Sequence, residues 1–112
     1  MRQLKFTGAS DLDCWSQPYE ECLHSELEEQ QLSVRRQMVV PLTYKGRQLS
    51  SIYRLDLLVE RTAIIEVKAV EKLGAIHLAQ MLTYLRHTGL QVGLILNFNT
   101  TILRDGIKRV VL

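Results

Sequence analysis

Asp56, Glu66 and Lys68 are charged residues set into an otherwise mostly apolar stretch, YRLDLLVERTAIIEVKAV, running from Tyr53 to Val70. A turn around Glu60-Arg61-Thr62 divides that stretch into two strands. If the turn centres on Arg61, Val59 faces Ala63 and the antiparallel register sets Asp56 directly opposite Glu66. Cross-strand neighbours of this kind have Cβ atoms roughly 4.5–5.5 Å apart, so the two carboxylates repel unless a cation lies between them. Lys68 shares the face of Glu66 because side chains alternate along a strand. The same alternation sends Leu55, Leu57, Val59, Ile65, Val67 and Ala69 to the opposite, core face. Ile52, Leu58, Ile64 and Val70 share the charged face, so the acids are hemmed by apolar side chains. Burying such a pair is costly, and a hard divalent cation with oxygen ligands makes it tolerable. The competing reading is an amphipathic hairpin whose acids face water, with Lys68 and Arg54 as ion-pair partners; a register slip of one residue would favour it.

The elements that must position these residues follow from periodicity and punctuation. SQPYEECLHSELEEQQL predicts a helix, with Ser16 or Gln17 at the cap, Pro18 near the first position and acids in the first turn. Tyr19, Cys22, Leu23 and Leu27 recur at helical spacing and define its buried face. From Val34 the pattern becomes β-type on both sides of Lys45-Gly46, a hairpin turn signal. Pro41 predicts an edge strand or a bulge. AIIEVKAV forms the third strand, a helix runs from about Gly74 to His87 with Gly89 ending it, and QVGLILNFN reads as a buried strand. The tail GIKRVVL fits one more strand. Residues 1–16 have weak periodicity and read as an irregular lead-in to one domain spanning 1–112.

Composition narrows the classes. A chain of 112 residues holds one core and is too short for two ordinary domains. With 46% hydrophobic and 23% charged residues it is globular in composition. A net charge of +2 neither demands nor excludes a polyanionic partner, so any nucleic-acid site must be local. Cys14 and Cys22 are too few for a disulfide framework and read as reduced, buried thiols. MRQLKFTGASDLDCW lacks the apolar core of a signal sequence, and no later apolar run approaches a membrane span; the expected location is cytoplasmic.

The pairing of "LD" with "EVK" further on resembles the PD-(D/E)XK nuclease signature, Asp56 taking the place of the first aspartate and Glu66-Val67-Lys68 that of the E-x-K. More narrowly, YEECL, YRLDLLVE, IEVKAVEKL, HLAQMLTYLRHTGLQVGLILNFN and DGIKRVV, in that order, are similar to the GxxExxY family of that superfamily. The resemblance implies an α/β, restriction-endonuclease-like core: a mixed β-sheet flanked by helices in the order α-β-β-β-α-β. It implies Mg²⁺ or Mn²⁺ held by Asp56, Glu66 and the backbone oxygen of Val67, with Lys68 orienting the attacking water or stabilising charge on the phosphate. Gln80 and Tyr84 lie four apart on the later helix, with His77 a turn earlier. Their QMLTY spacing is similar to the Q-x-x-x-Y element of RecB-like members, where these side chains contact substrate or steady the lysine. Without that resemblance they read as a polar stripe on a helix whose Leu78, Leu82 and Leu85 face the core. The family's name-giving Gly, Glu and Tyr fall on Asp13, Ser16 and Tyr19; Glu20, one turn beyond Ser16, is the nearest carboxylate that could serve instead.

Two functions follow. One is a Mg²⁺-dependent nuclease acting on DNA or RNA, as a monomer or a homodimer. The other is a nuclease-fold module with impaired catalysis that binds nucleic acid or a protein. A purely structural acid pair is a third alternative. No His pair has zinc-ligand spacing, with His24 and His87 read as surface residues. No glycine cluster could cradle a phosphate and no serine sits in a nucleophile elbow. Lys108 and Arg109, beside Arg104, could touch a phosphate backbone, but so short a basic run is usually just a solvated strand end. Trp15 is expected against the first helix.

Overall fold

The computed structural model describes residues 16–99 and 103–112. Helix α1 (Ser16–Glu29) leads into a hairpin of β1 (Val34–Tyr44) and β2 (Arg47–Val59), followed by β3 (Ala63–Lys68), helix α2 (Ala75–Thr88), β4 (Val92–Asn97), a 3₁₀ turn (Leu103–Gly106) and β5 (Ile107–Val111). The strands form one five-stranded sheet in the order β1-β2-β3-β4-β5. Among the described strands only β3 and β4 run parallel, joined by α2 as a crossover. The expectations for Trp15, Cys14, Asp13 and the irregular lead-in lie outside the described residues.

Both hairpin turns use left-handed backbone. Lys45 and Gly46 have φ of 50° and 76°, and Glu60 and Arg61 have 54° and 57°, the handedness that matches strand twist in tight hairpins. The second turn sets Val59 opposite Ala63, the expected register. Pro41 answers to both of its expectations, since β1 is an edge strand and the β1–β2 register shifts between Pro41 and Thr43. The α1 helix begins at Ser16, so Glu20 and Glu21 fall beyond its first turn, which contains no acid, contrary to expectation.

Each face of the sheet carries its own core. On one, Tyr19 and Leu23 of α1 pack with Leu57, Ile65, Val67, Leu96 and Phe98, the Tyr19 and Phe98 rings stacked 4.4 Å apart. On the other, Met81, Tyr84 and Leu85 of α2 pack with Leu55, Leu58, Ile64 and Ile95. A Cβ on Gly93 would fall within the Met81 thioether, so glycine lets α2 press onto β4. The face expected to carry the charged residues is therefore a core too. Leu55 also departs from its expected face: it packs with Leu58 and not with Leu57. The alternation slips at Asp56, and on the paired strand Gln37 sits between Arg36 and Met38 with a positive φ of 52°. Cys22 is half-buried rather than buried. No helix among the described residues is long and apolar enough to cross a membrane.

Candidate functional site

The antiparallel ladder between β2 and β3 runs through Val59–Ala63, Leu58–Ile64 and Leu57–Ile65 and then stops. Beyond it the strands part, and two carboxylates complete the gap. The backbone N–H of Val67 donates to Asp56 Oδ2 at 2.9 Å, and the backbone N–H of Asp56 donates to Glu66 Oε1 at 3.2 Å. Each acid thus accepts the hydrogen bond that the missing strand pairing would have satisfied. A residue in a strand projects its N–H and C=O toward the same neighbour. The Val67 carbonyl therefore also faces the notch where the ladder has ended.

Glu66 is 4% exposed. Burial, then the charge of Asp56, push its carboxyl up to about 8, while Lys68 pulls in the other direction. The upward direction is what two carboxyl groups sharing a buried gap produce, and the Glu66 and Asp56 side chains are hydrogen-bonded to each other. Two carboxyl groups and a carbonyl converging on one gap form an all-oxygen donor set that suits a hard cation. Among the described residues no cluster of three or more His, Cys, Asp or Glu is arranged to hold a metal ion, so protein carboxylates would supply two ligands at this notch and backbone or water the rest.

From α2, Gln80 Oε1 accepts from Lys68 Nζ at 3.3 Å. The same Gln80 side chain is hydrogen-bonded to Tyr84, whose hydroxyl is pushed up to about 12 by burial and then by the charges of Glu66 and Asp56. The Q-x-x-x-Y pair thus lies beside the E-x-K lysine. His77 has a different job: its Nδ1 accepts the Gly74 N–H at 2.9 Å and caps α2. His87 is exposed as expected, with its ring edge-on to Tyr53, whereas His24 is half-buried beside Glu28 at 3.5 Å.

From α1, Glu20 reaches the same neighbourhood. It is 3% exposed, its carboxyl raised mainly by burial, with the Asp56 charge adding to the shift. Gln37 links the two acids, its Nε2 donating to Glu20 Oε1 at 2.7 Å and to Asp56 Oδ1 at 3.4 Å, while Arg36 Nε lies 3.8 Å from Glu20.

Two residues in this region escaped the sequence reading. Gln37 looks like an ordinary polar residue of an edge strand, and only its left-handed backbone turns it toward the acids. Asn97, at the end of β4, ties down the chain leaving β3: its Oδ1 accepts the Val70 N–H at 3.0 Å and its Nδ2 donates to the Val70 carbonyl at 2.8 Å. A polar residue ending a buried strand was the available signal.

A mixed sheet with a helix on each face, and an acidic notch at its centre beside a lysine, defines a PD-(D/E)XK-type nuclease fold. Residues 14–110 match the family model of the PD-(D/E)XK nuclease superfamily, and the chain belongs to that superfamily. Searches of curated proteins and of solved structures each returned no significant match. Membership in the superfamily points to nuclease activity in general.

Proposed function

We propose that the chain is a divalent-cation-dependent nuclease that hydrolyses phosphodiester bonds in DNA, of the GxxExxY kind within its superfamily. The observation that carries the proposal is the meeting of the Asp56 and Glu66 carboxyls in the notch between β2 and β3, with Lys68 alongside. Asp56, Glu66 and the Val67 carbonyl would hold Mg²⁺ or Mn²⁺. When bound, the ion lowers the pKa of a coordinated water and neutralises charge on the scissile phosphate. Lys68, a compact point charge, orients the water or stabilises the phosphate as charge develops. Gln80 holds the Lys68 ammonium in place, and Tyr84 backs Gln80 from the α2 core. Glu20 supports Asp56 through Gln37.

A second reading, a nuclease-fold module with impaired catalysis that retains binding, is favoured by Ser16, which stands where the family expects a glutamate. Isothermal titration of Mn²⁺ and Mg²⁺ into the wild type and Glu66→Ala, with plasmid and single-stranded DNA cleavage on the same samples, separates the two. Binding and cleavage that both vanish in Glu66→Ala support the nuclease. Binding without cleavage supports the impaired module, and a wild type indifferent to both ions removes the metal site altogether.

A further inference from the structure

We infer that the outer half of the β1–β2 hairpin is an arm that grips the backbone of a nucleic-acid strand and leads it to the carboxylate notch. The inference deepens the proposed function and takes from it the nature of the substrate. The β2 strand pairs with β3 only from Leu57 to Val59, whereas its pairing with β1 continues outward through Val39–Arg54 and Pro41–Ile52 to Tyr44–Arg47. Among the described residues, the sheet beyond Asp56 is therefore a two-stranded ribbon. At about 3.3 Å per residue, the nine steps from Arg47 to Asp56 reach about 30 Å, close to one turn of duplex.

Charge on this ribbon is segregated. From Met38 to Leu55 the chain carries Lys45, Arg47 and Arg54 and no acid at all, while the rest of the molecule has more acids than bases. Helix α1 is the counterpart, with Glu20, Glu21, Glu26, Glu28 and Glu29 and no Lys or Arg. A polyanion is drawn to the ribbon and repelled by α1.

The ribbon also exposes what a nucleic-acid strand can pack on. One face is anchored, Tyr53 lying edge-on to Tyr84 at 5.0 Å and to His87 at 5.4 Å. The other leaves Val39 44% and Ile52 47% exposed, beside Arg54, which lies two residues before Asp56. At the tip Tyr44 is 61% exposed, with Lys45 Nζ 5.5 Å from its ring centroid. Cations spaced along an extended element, interleaved with an accessible aromatic ring, suit phosphates and stacked bases. A two-stranded ribbon with exposed apolar residues is marginal in water by itself, and a bound strand would cover this one.

The test is fluorescence polarisation with a labelled 20-nucleotide single strand and its duplex, in EDTA so that neither cation nor cleavage is needed. The variants are Arg47→Gln/Arg54→Gln and, as a charge-matched control on the opposite sheet edge, Lys108→Gln/Arg109→Gln. The arm variant should weaken binding about tenfold and flatten the slope of log K against log salt by roughly 1.5, the loss of about two phosphate contacts. The control should bind like the wild type, and Tyr44→Ser should weaken binding without changing the slope. Equal losses in the two charge variants, or none in either, overturn the arm. So does a sedimentation mass that falls in Tyr44→Ser while nucleic acid is ignored, which would make the ribbon a contact between copies of the chain. Failure is separable from that of the proposed nuclease: cleavage with unaltered arm-variant binding removes only the arm, and arm-dependent binding with no cation uptake removes only the catalytic site.

Discussion

The two halves of β2 are one continuous strand with opposite surroundings. From Leu55 to Val59 it lies between α1 and α2, and Leu57 is fully buried. From Arg47 to Arg54 it has β1 for a neighbour on one side and an exposed face bearing Ile52 and Arg54. Asp56 marks the boundary, where β3 peels away and the side-chain alternation slips. The inner half is fixed by packing on both faces, the outer half by hairpin pairing and the contact of Tyr53 with α2. The carboxylate notch at the junction combines a packed floor with an open approach, because burial locks the strands on one side and the missing ladder leaves room on the other.

Truncation should expose this contrast most strongly. Leu57→Ala is expected to lower unfolding stability by about 2–5 kcal/mol, the cost of a cavity in a fully buried site. Ile52→Ala, five residues away on the same strand, should stay within about 0.5 kcal/mol. Urea denaturation of both variants measures the difference, and similar losses would erase the distinction between the halves.

At the boundary itself, Gln37→Leu removes the amide that joins Glu20 to Asp56. Leaving the buried Glu20 carboxyl without that donor should cost about 1–3 kcal/mol, readable as a shifted urea midpoint. The same change in the exposed Gln48 should have no measurable effect, and a loss at both positions would mean that the amide link to Glu20 carries nothing special.

The gentlest probe is pH. Glu66 is raised in the fold to about 8, so the folded state holds its proton more tightly than the unfolded chain. The stability this contributes is complete below the ordinary glutamate range and is lost as pH rises toward about 8. In EDTA, urea midpoints should therefore fall from pH 5 to pH 8 and then level off. Glu66→Gln should remove most of that slope, and the remainder has the sign expected from Glu20, which is also raised. A wild-type profile rising with pH would contradict the buried acid pair.

Much of the fold was legible because its determinants are local. Lys45-Gly46 and Glu60-Arg61 place the turns, Pro41 marks the edge strand, and Gly74 and Gly89 bracket α2. The Val59–Ala63 register follows from the turn position, but the expected pairing of Asp56 directly opposite Glu66 does not form: the ladder ends at Leu57–Ile65, and the acids meet across the gap through hydrogen bonds to backbone N–H groups. Assigning Leu55 to the face of Leu57 failed because strict alternation was assumed through a residue where it slips. The first-turn acids of α1 were misplaced because the helix begins at Ser16.

The sequence by itself thus determined the order of elements, the register of the second hairpin and the nearness of Asp56, Glu66 and Lys68, since each rests on turn chemistry and strand spacing over a few residues. Tertiary structure alone decided that Glu20 meets Asp56 through Gln37, that Tyr84 comes under the charge of the acids, and that β2 has a buried and an exposed half. Those outcomes depend on where β3 leaves β2 and on a left-handed glutamine, and neither is encoded in residue type or periodicity.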